Sequence, residues 1–326
     1  MYPVWFHHQA GFYRIGMKIS DILDSSHKAF PSLEIVPPLK GITKSELIEG
    51  IRPFMEFNPP FINVTFHRDE YEFRAEKDGS FSRHLVRRRI SESAVCGAIQ
   101  SEFKIEVVPH LICGGATADQ IESQLHDFKF MGIHNVLALR GDCITGEKRF
   151  CQEPGGYSHA DELVAAIRRF ERENNAEGQY CIGVGAYPEK HFEAPNLETD
   201  IANLKRKVDA GADYIITQMF FDNAKYYDFV DKCRAAGITC PIVPGLKPLS
   251  TPKQVDILPE SFSLDIPYEL TKEIAAHKDD RQAVYEIGQE WCKEQCRDLI
   301  AHGVPAVHFY TMGKAANIVN ILRECF

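Results

Sequence analysis

The sequence predicts an α/β fold, a single (β/α)8 TIM barrel with parallel strands. Three observations carry that reading. A short apolar run followed by an amphipathic stretch recurs about eight times along the 326 residues. Several runs are near-continuous in Val, Ile, Leu or Phe, as strands covered on both faces require. No Gly-, Ser- or Pro-rich linker divides the chain, and α/β barrels commonly reach this length as one unit.

Taken in order, residues 1–17 lack the basic-then-apolar pattern of a signal peptide. They are expected to form a disordered extension, with the catalytic barrel over residues 18–326. Strands are predicted over residues 32–36, 61–66, 106–113, 135–141, 181–187, 214–221, 241–248 and 306–312. A helix over 118–132 follows Thr117, an N-cap candidate with Gln120 at the capping-box position. Helices over 197–211 and 223–237 end at Gly211 and Gly237, and a long helical region covers 279–303. Residues 247–272 are Pro-rich and read as a long βα loop with one short helix.

A barrel of this kind does its chemistry at the C-terminal ends of its strands. Those ends are rich in reactive groups. The first run carries Glu34, the second Thr65 and His67, and the third ends near His110. The fourth runs into Arg140-Gly141-Asp142 and the fifth into Tyr187-Pro188-Glu189 and His191. The sixth carries Gln218 and Asp222, and the eighth His308-Phe309-Tyr310-Thr311. A carboxylate among Leu33, Ile35 and Val36 is costly to bury ionised, so Glu34 is either an acid with a raised pKa or half of an ion pair. On their own, His110 and His308 read more readily as core histidines bonding a backbone carbonyl than as functional groups. Gly141 lets a ligand approach the backbone beside an Arg–Asp pair. Asp200, Asn203, Arg206 and Lys207 share a helix face that is either solvated or an anion clamp.

Composition narrows the classes. The net charge is −9 with a pI near 5.8, which argues against non-specific nucleic-acid or anionic-membrane binding. The basic run Arg87-Arg88-Arg89 reads as a solvated helix face. Ten cysteines show no CxxC and no zinc spacing, so free thiols in the cytoplasm are expected. No metal site, P-loop or G-x-G-x-x-G is present, so a dinucleotide would have to sit at the barrel mouth. A lyase acting on a phosphorylated substrate is a rival. It would need backbone amides near Pro244-Gly245 and Gly313-Lys314 to hold the phosphate. A methyl carrier or transferase barrel that oxidises no nicotinamide is another.

Leu33-Glu34-Ile35-Val36-Pro37-Pro38 resembles the F-E-F-F-P-P segment of the methylenetetrahydrofolate reductases. Residues 109–113, 138–142 and 186–191 resemble that family's next blocks, the last its A-Y-P-E-x-H. NLKRKVDAG at 203–211 and residues 217–222 are close to identical to its pattern, and 244–246 and 308–311 complete it. The resemblance is to the bacterial-type catalytic domain, so the S-adenosylmethionine-binding regulatory domain of eukaryotic members is expected to be absent.

The resemblance implies reduction of methylenetetrahydrofolate with FAD and NADH or NADPH, in a homo-oligomer. It implies Glu34 as the acid, Asp142 as a charge near flavin and pterin, and Gln218 as the group that orients pterin and nicotinamide. It implies FAD contacts from Thr65, His110, Leu139, Arg140, Gly141, Asp142, His159, Ala160, Tyr187, His191, Asp200, Asn203, Arg206 and Lys207. Substrate contacts fall to Glu34, Gln218, Gln254, Tyr310 and Lys314. The chain departs from the family pattern at Ile35-Val36, usually an aromatic pair. It departs also at His159 for a common Tyr, Leu258 for a stacking Phe, and Lys314 for an Arg.

Overall fold

The computed structural model describes residues 15–141, 150–311 and 316–326, the side chains of Glu70 and Ala316 excepted. The strands are β1 (Phe30–Ile35), β2 (Phe61–Val64), an antiparallel hairpin β3 (Glu70–Ala75) and β4 (Phe81–Val86), then β5 (Glu106–Ile112), β6 (Asn135–Leu139), β7 (Cys181–Ala186), β8 (Tyr214–Met219), β9 (Ile242–Leu246) and β10 (Ala306–Tyr310). Eight of them close a barrel in the cyclic order β1-β2-β5-β6-β7-β8-β9-β10, and every ladder in it is parallel. Each predicted strand is present. Each observed strand ends one or two residues sooner than expected.

The helices are α1 (Ile19–Ser25), α2 (Lys44–Ile51), α3 (Glu92–Phe103), α4 (Ala118–Phe130), α5 (Ala160–Glu173), α6 (Leu197–Asp209), α7 (Asn223–Ala235), α8 (Gln254–Phe262), α9 (Tyr268–Ala276), α10 (Arg281–Ala301) and α11 (Ala316–Cys325). The predicted capping box opens α4: Thr117 accepts from the Gln120 amide at 3.3 Å, and Gln120 accepts from the Thr117 amide at 2.9 Å. A second box, Thr43 with Glu46, opens α2. In α5, Leu163, Val164, Ile167 and Phe170 form one buried stripe against the barrel wall. Each such side chain contributes about 1.5–3 kcal/mol on burial.

Two expectations change. The segment after β9 holds two helices, α8 and α9, rather than one. The basic run follows strand β4 and is not helical: Arg89 bridges to Leu39 and donates to the Pro37 carbonyl at 2.7 Å, and Arg87 pairs with Asp69 at 3.0 Å.

The barrel interior is filled in layers, because alternate strand residues point inward. The bottom layer packs Phe30, Phe61, Val108, Leu137, Cys181, Tyr214 and Val243 against α1, which closes the N-terminal end. Residues 1–14 of the expected extension lie outside the described residues. Gly16 and Met17 are held at that closed end, their amides donating to the buried Glu106 carboxylate. A middle layer joins Ser32, Asn63 and His308, with the Ser32 hydroxyl 2.9 Å from His308 Nδ1. Two residues further along each strand, the chain reaches the mouth. Among the described residues no helix is long and apolar enough to cross a membrane.

Candidate active site

Strand alternation carries Glu34 on β1, His110 on β5, Gln218 on β8 and Tyr310 on β10 into the uppermost layer of the barrel. Register pairs Glu34 directly with Tyr310. Glu34 is buried, and removal from water raises its carboxyl to a pKa of about 7, with Lys247 opposing the rise. His110 Nε2 stands 3.8 Å from Glu34 Oε2, too far for a hydrogen bond. Burial, reinforced by His67, pushes His110 down to about 3. The imidazole is therefore neutral, and the pair is a protonatable carboxyl beside a neutral ring rather than a salt bridge.

His308, in the layer below, is likewise held near 3 by burial and then His110. Its bond to the Ser32 hydroxyl makes it a core histidine, satisfied by a side chain and not by a carbonyl. Tyr310 donates to the Thr217 carbonyl at 2.7 Å and its ring lies edge-on to His308. The Gln218 amide oxygen accepts from the Met219 amide at 2.9 Å.

A second group lies beside the ends of β6 and β7. Leu139 ends β6, and Arg140 beyond it pairs with Glu193 and lies over the Phe150 ring. Gly141 has φ +84, and a Cβ there would meet Ile112 at 3.1 Å, so only glycine suits this turn. Past β7, the Tyr187 and His191 rings meet edge to face at 4.7 Å. The His191 amide donates to Asp200 at 2.8 Å. From α6, Lys207 reaches back to donate to the Gly185 carbonyl at 2.8 Å; desolvation lowers its pKa and Asp200 opposes that. Arg206, on the exposed side, pairs with Asp161 of α5 at 3.5 Å. Asn203 lies half-buried on the same helix. The shared α6 face is thus turned toward the strand ends at Lys207 and toward solvent at Arg206.

Two predicted residues, Asp142 and Lys314, lie outside the described residues. His159 is the exposed residue before α5 and Ala160 its buried first residue. Thr65 follows β2, its amide donating to Ile35. Gln254 spends its side-chain oxygen on its own loop, accepting from the Ser250 and Thr251 amides. Leu258 packs with Met219, Phe221 and Leu270 in an apolar cluster under α8.

Sequence reasoning missed Lys247, just past β9, which is buried with 7% of its surface exposed. The signal was there: it is in phase with Val243 and Gly245. Glu189, named in the sequence as a strand-end group but given no role, is raised by burial to about 7; its Oε2 accepts from the Asp265 amide at 3.0 Å, while its Oε1 is buried without a hydrogen-bond partner. Among the described residues no cluster of three or more His, Cys, Asp or Glu could hold a metal.

The arrangement holds a buried carboxyl that titrates near neutrality in the barrel mouth, flanked by a cationic, hydrogen-bonding ledge. At Pro244-Gly245 it does not offer the phosphate cradle of the rival lyase; Gly313-Lys314, the other half of that cradle, lie outside the described residues. The Gly245 amide already donates to Thr217 Oγ1 at 3.0 Å. A Cβ on Gly245 would sit 2.3 Å from the Thr217 carbonyl and 2.6 Å from the Tyr310 ring, so no anion can close on it.

The sequence pattern of the methylenetetrahydrofolate reductases matches residues 18–325. Methylenetetrahydrofolate reductase (NADH) 1 of Arabidopsis thaliana is 33% identical over 94% of this chain and 50% of its own length. The chain thus spans about half the length of such curated relatives. The 5,10-methylenetetrahydrofolate reductase of Escherichia coli is 31% identical over 87% of this chain and 86% of its own. A solved Clostridium thermocellum protein, described as binding two copies of 5-methyl-5,6,7,8-tetrahydrofolic acid, covers 94% of this chain and 98% of its own at TM-score 0.57 and 12% identity. That likeness is one of fold.

Proposed function

The chain belongs to the methylenetetrahydrofolate reductase family, and on that premise we propose that it reduces methylenetetrahydrofolate to methyltetrahydrofolate with FAD as cofactor and NADH or NADPH as hydride donor. The observation that carries the reading is Glu34, a buried carboxyl at the barrel mouth raised to a pKa of about 7. A general acid works best when its pKa lies near the working pH.

The residues fit a flavin dinucleotide. Thr65 Oγ1 and His110 Nε2 are buried polar atoms without a hydrogen-bond partner, and such groups call for a ligand or an ordered water. Arg140, Arg206 and Lys207 supply charge-assisted donors for phosphates, and Asp200 and His191 suit a ribose. Leu139, Gly141, His159, Ala160, Asn203 and Tyr187 would complete the cradle. When bound, FAD relays hydride from the nicotinamide to the folate carbon.

The protein's own part is proton placement and orientation. Glu34 gives its proton to folate N10. The bond from N10 to the bridging carbon breaks with its electron pair on N10, and the N5 lone pair closes an iminium. Asp142 favours that cation through its charge. Gln218 orients pterin and nicotinamide in turn, so one site serves both and ping-pong kinetics follow. Gln254, Tyr310 and Lys314 are the further substrate contacts. Family membership also supports a homo-oligomer working in the cytoplasm.

Glu34→Gln tests the assignment in anaerobic half-reactions. Flavin reduction by the nicotinamide should persist, while folate-dependent reoxidation should fall by about 10²–10⁴-fold. Reoxidation that stays within about tenfold of wild type would remove Glu34 as the acid.

A further inference from the structure

Lys247 has no place in the steps above, yet it lies in the layer where they happen. Strand β9 pairs with β10 through His308↔Gly245 and Phe309↔Leu246. Lys247 is the next residue after that ladder's last pair on β9, as Tyr310 is on β10, and Tyr310 is itself in register with Glu34. Acid and tyrosine on β1 and β10, and lysine at the first position past β9, therefore lie near one level of the barrel. Their phase is inward, since Gly245, two residues before Lys247, packs directly on the Tyr310 ring.

Both charged groups are withdrawn from water, with 9% of Glu34 and 7% of Lys247 exposed. Among the described residues nothing gives the Lys247 ammonium a hydrogen bond or an ion pair within 4 Å. A buried ammonium without a partner is costly, and so is a buried carboxylate. Each becomes tolerable in the presence of the other's charge.

Resting on the reductase reading, we propose that Lys247 is the positioning counter-charge of Glu34, its ammonium stabilising the carboxylate left behind when Glu34 gives its proton to folate N10. The other groups facing Glu34 cannot fill this role. His110 of β5 is neutral. His67, beyond β2, acts on His110. The Tyr310 hydroxyl of β10 is committed to Thr217. Burial lifts Glu34 and Lys247 pulls it back, so the carboxyl settles near 7 instead of higher. Lys247 is lowered by its own burial and raised by Glu34, the reciprocal of the same interaction. The lysine thus keeps the acid strong enough to release its proton at neutral pH, while burial keeps it weak enough to hold that proton until substrate arrives.

The test follows the carbonyl stretch of protonated Glu34 by infrared difference spectroscopy across pH, using Glu34→Gln to identify the band. Wild type, Lys247→Met and Lys247→Arg are compared as purified proteins. Lys247→Met should titrate at least about one pH unit higher than wild type, and Lys247→Arg close to wild type. The alkaline limb of folate-dependent reoxidation should move with the band, and with Glu34→Gln already in place Lys247→Met should add no further loss. A Glu34 band that titrates alike in Lys247→Met and wild type overturns the proposal. A band that moves in a protein with no folate half-reaction upholds the pairing and removes the reductase reading instead.

Discussion

Glu34 and His110 lie 3.8 Å apart, and burial drives both toward their neutral forms. This fixes which group titrates near neutrality. With His110 at about 3 and Glu34 at about 7, folate-dependent reoxidation should be full below pH 7 and fall as pH rises through it. The limb should persist in His110→Asn and vanish in Glu34→Gln; a limb lost with His110 would assign the proton to the imidazole. Gly245 offers a structural test at the same scale. An added methyl would press on the Thr217 carbonyl and the Tyr310 ring, so Gly245→Ala should cost about 1–3 kcal/mol in urea unfolding. Glu34 was legible in the sequence because a charge inside an apolar run has few explanations. Lys247 was not, since it falls at the end of a run that was read for hydrophobicity rather than for phase. The contacts of Asp142 and Lys314 rest on resemblance alone.

At the scale of elements, the packing of α5 and α6 on the barrel holds the ledge in place. Arg168 of α5 donates to the Gly211 carbonyl at 2.7 Å and the Tyr180 carbonyl at 2.9 Å. It also pairs with Asp213 at 2.7 Å and Glu171 at 2.9 Å. Arg168→Met leaves that half-buried set unpaired and should lower stability by about 3 kcal/mol, read as a fall in the urea midpoint with the flavin spectrum of the surviving folded protein unchanged. The eight strands and four named helices were legible from apolar runs and caps. The β3–β4 hairpin was not: Tyr71, Phe73, Phe81 and Leu85 stay exposed, so its alternation never buries a face. Its one clear signal was the Asp78-Gly79 turn, with Gly79 at φ +82. The basic run after it looked helical because charge runs usually are, and here a strand end claims it.

For the whole molecule, the buried acids make stability depend on pH. Glu34 is raised from 4.5 to about 7 and Glu106 is raised by burial as well, so the folded state holds protons that the unfolded chain has lost. Stability from these groups is greatest below their unfolded values and declines as pH rises through the folded ones. Glu34 alone accounts for about 3 kcal/mol between pH 4.5 and the region above 7. Thermal unfolding of Glu34→Gln should therefore show a flatter pH profile than wild type over that range. The barrel itself was legible because apolar runs alternate with amphipathic stretches, and because seven of the eight predicted strands end in polar residues that a scaffold has no use for. The measurement that bears most directly on the central claim is the visible spectrum of the purified protein, followed anaerobically. A flavin spectrum that bleaches with reduced nicotinamide and returns with methylenetetrahydrofolate is the predicted result. A protein that remains colourless after incubation with FAD would contradict it.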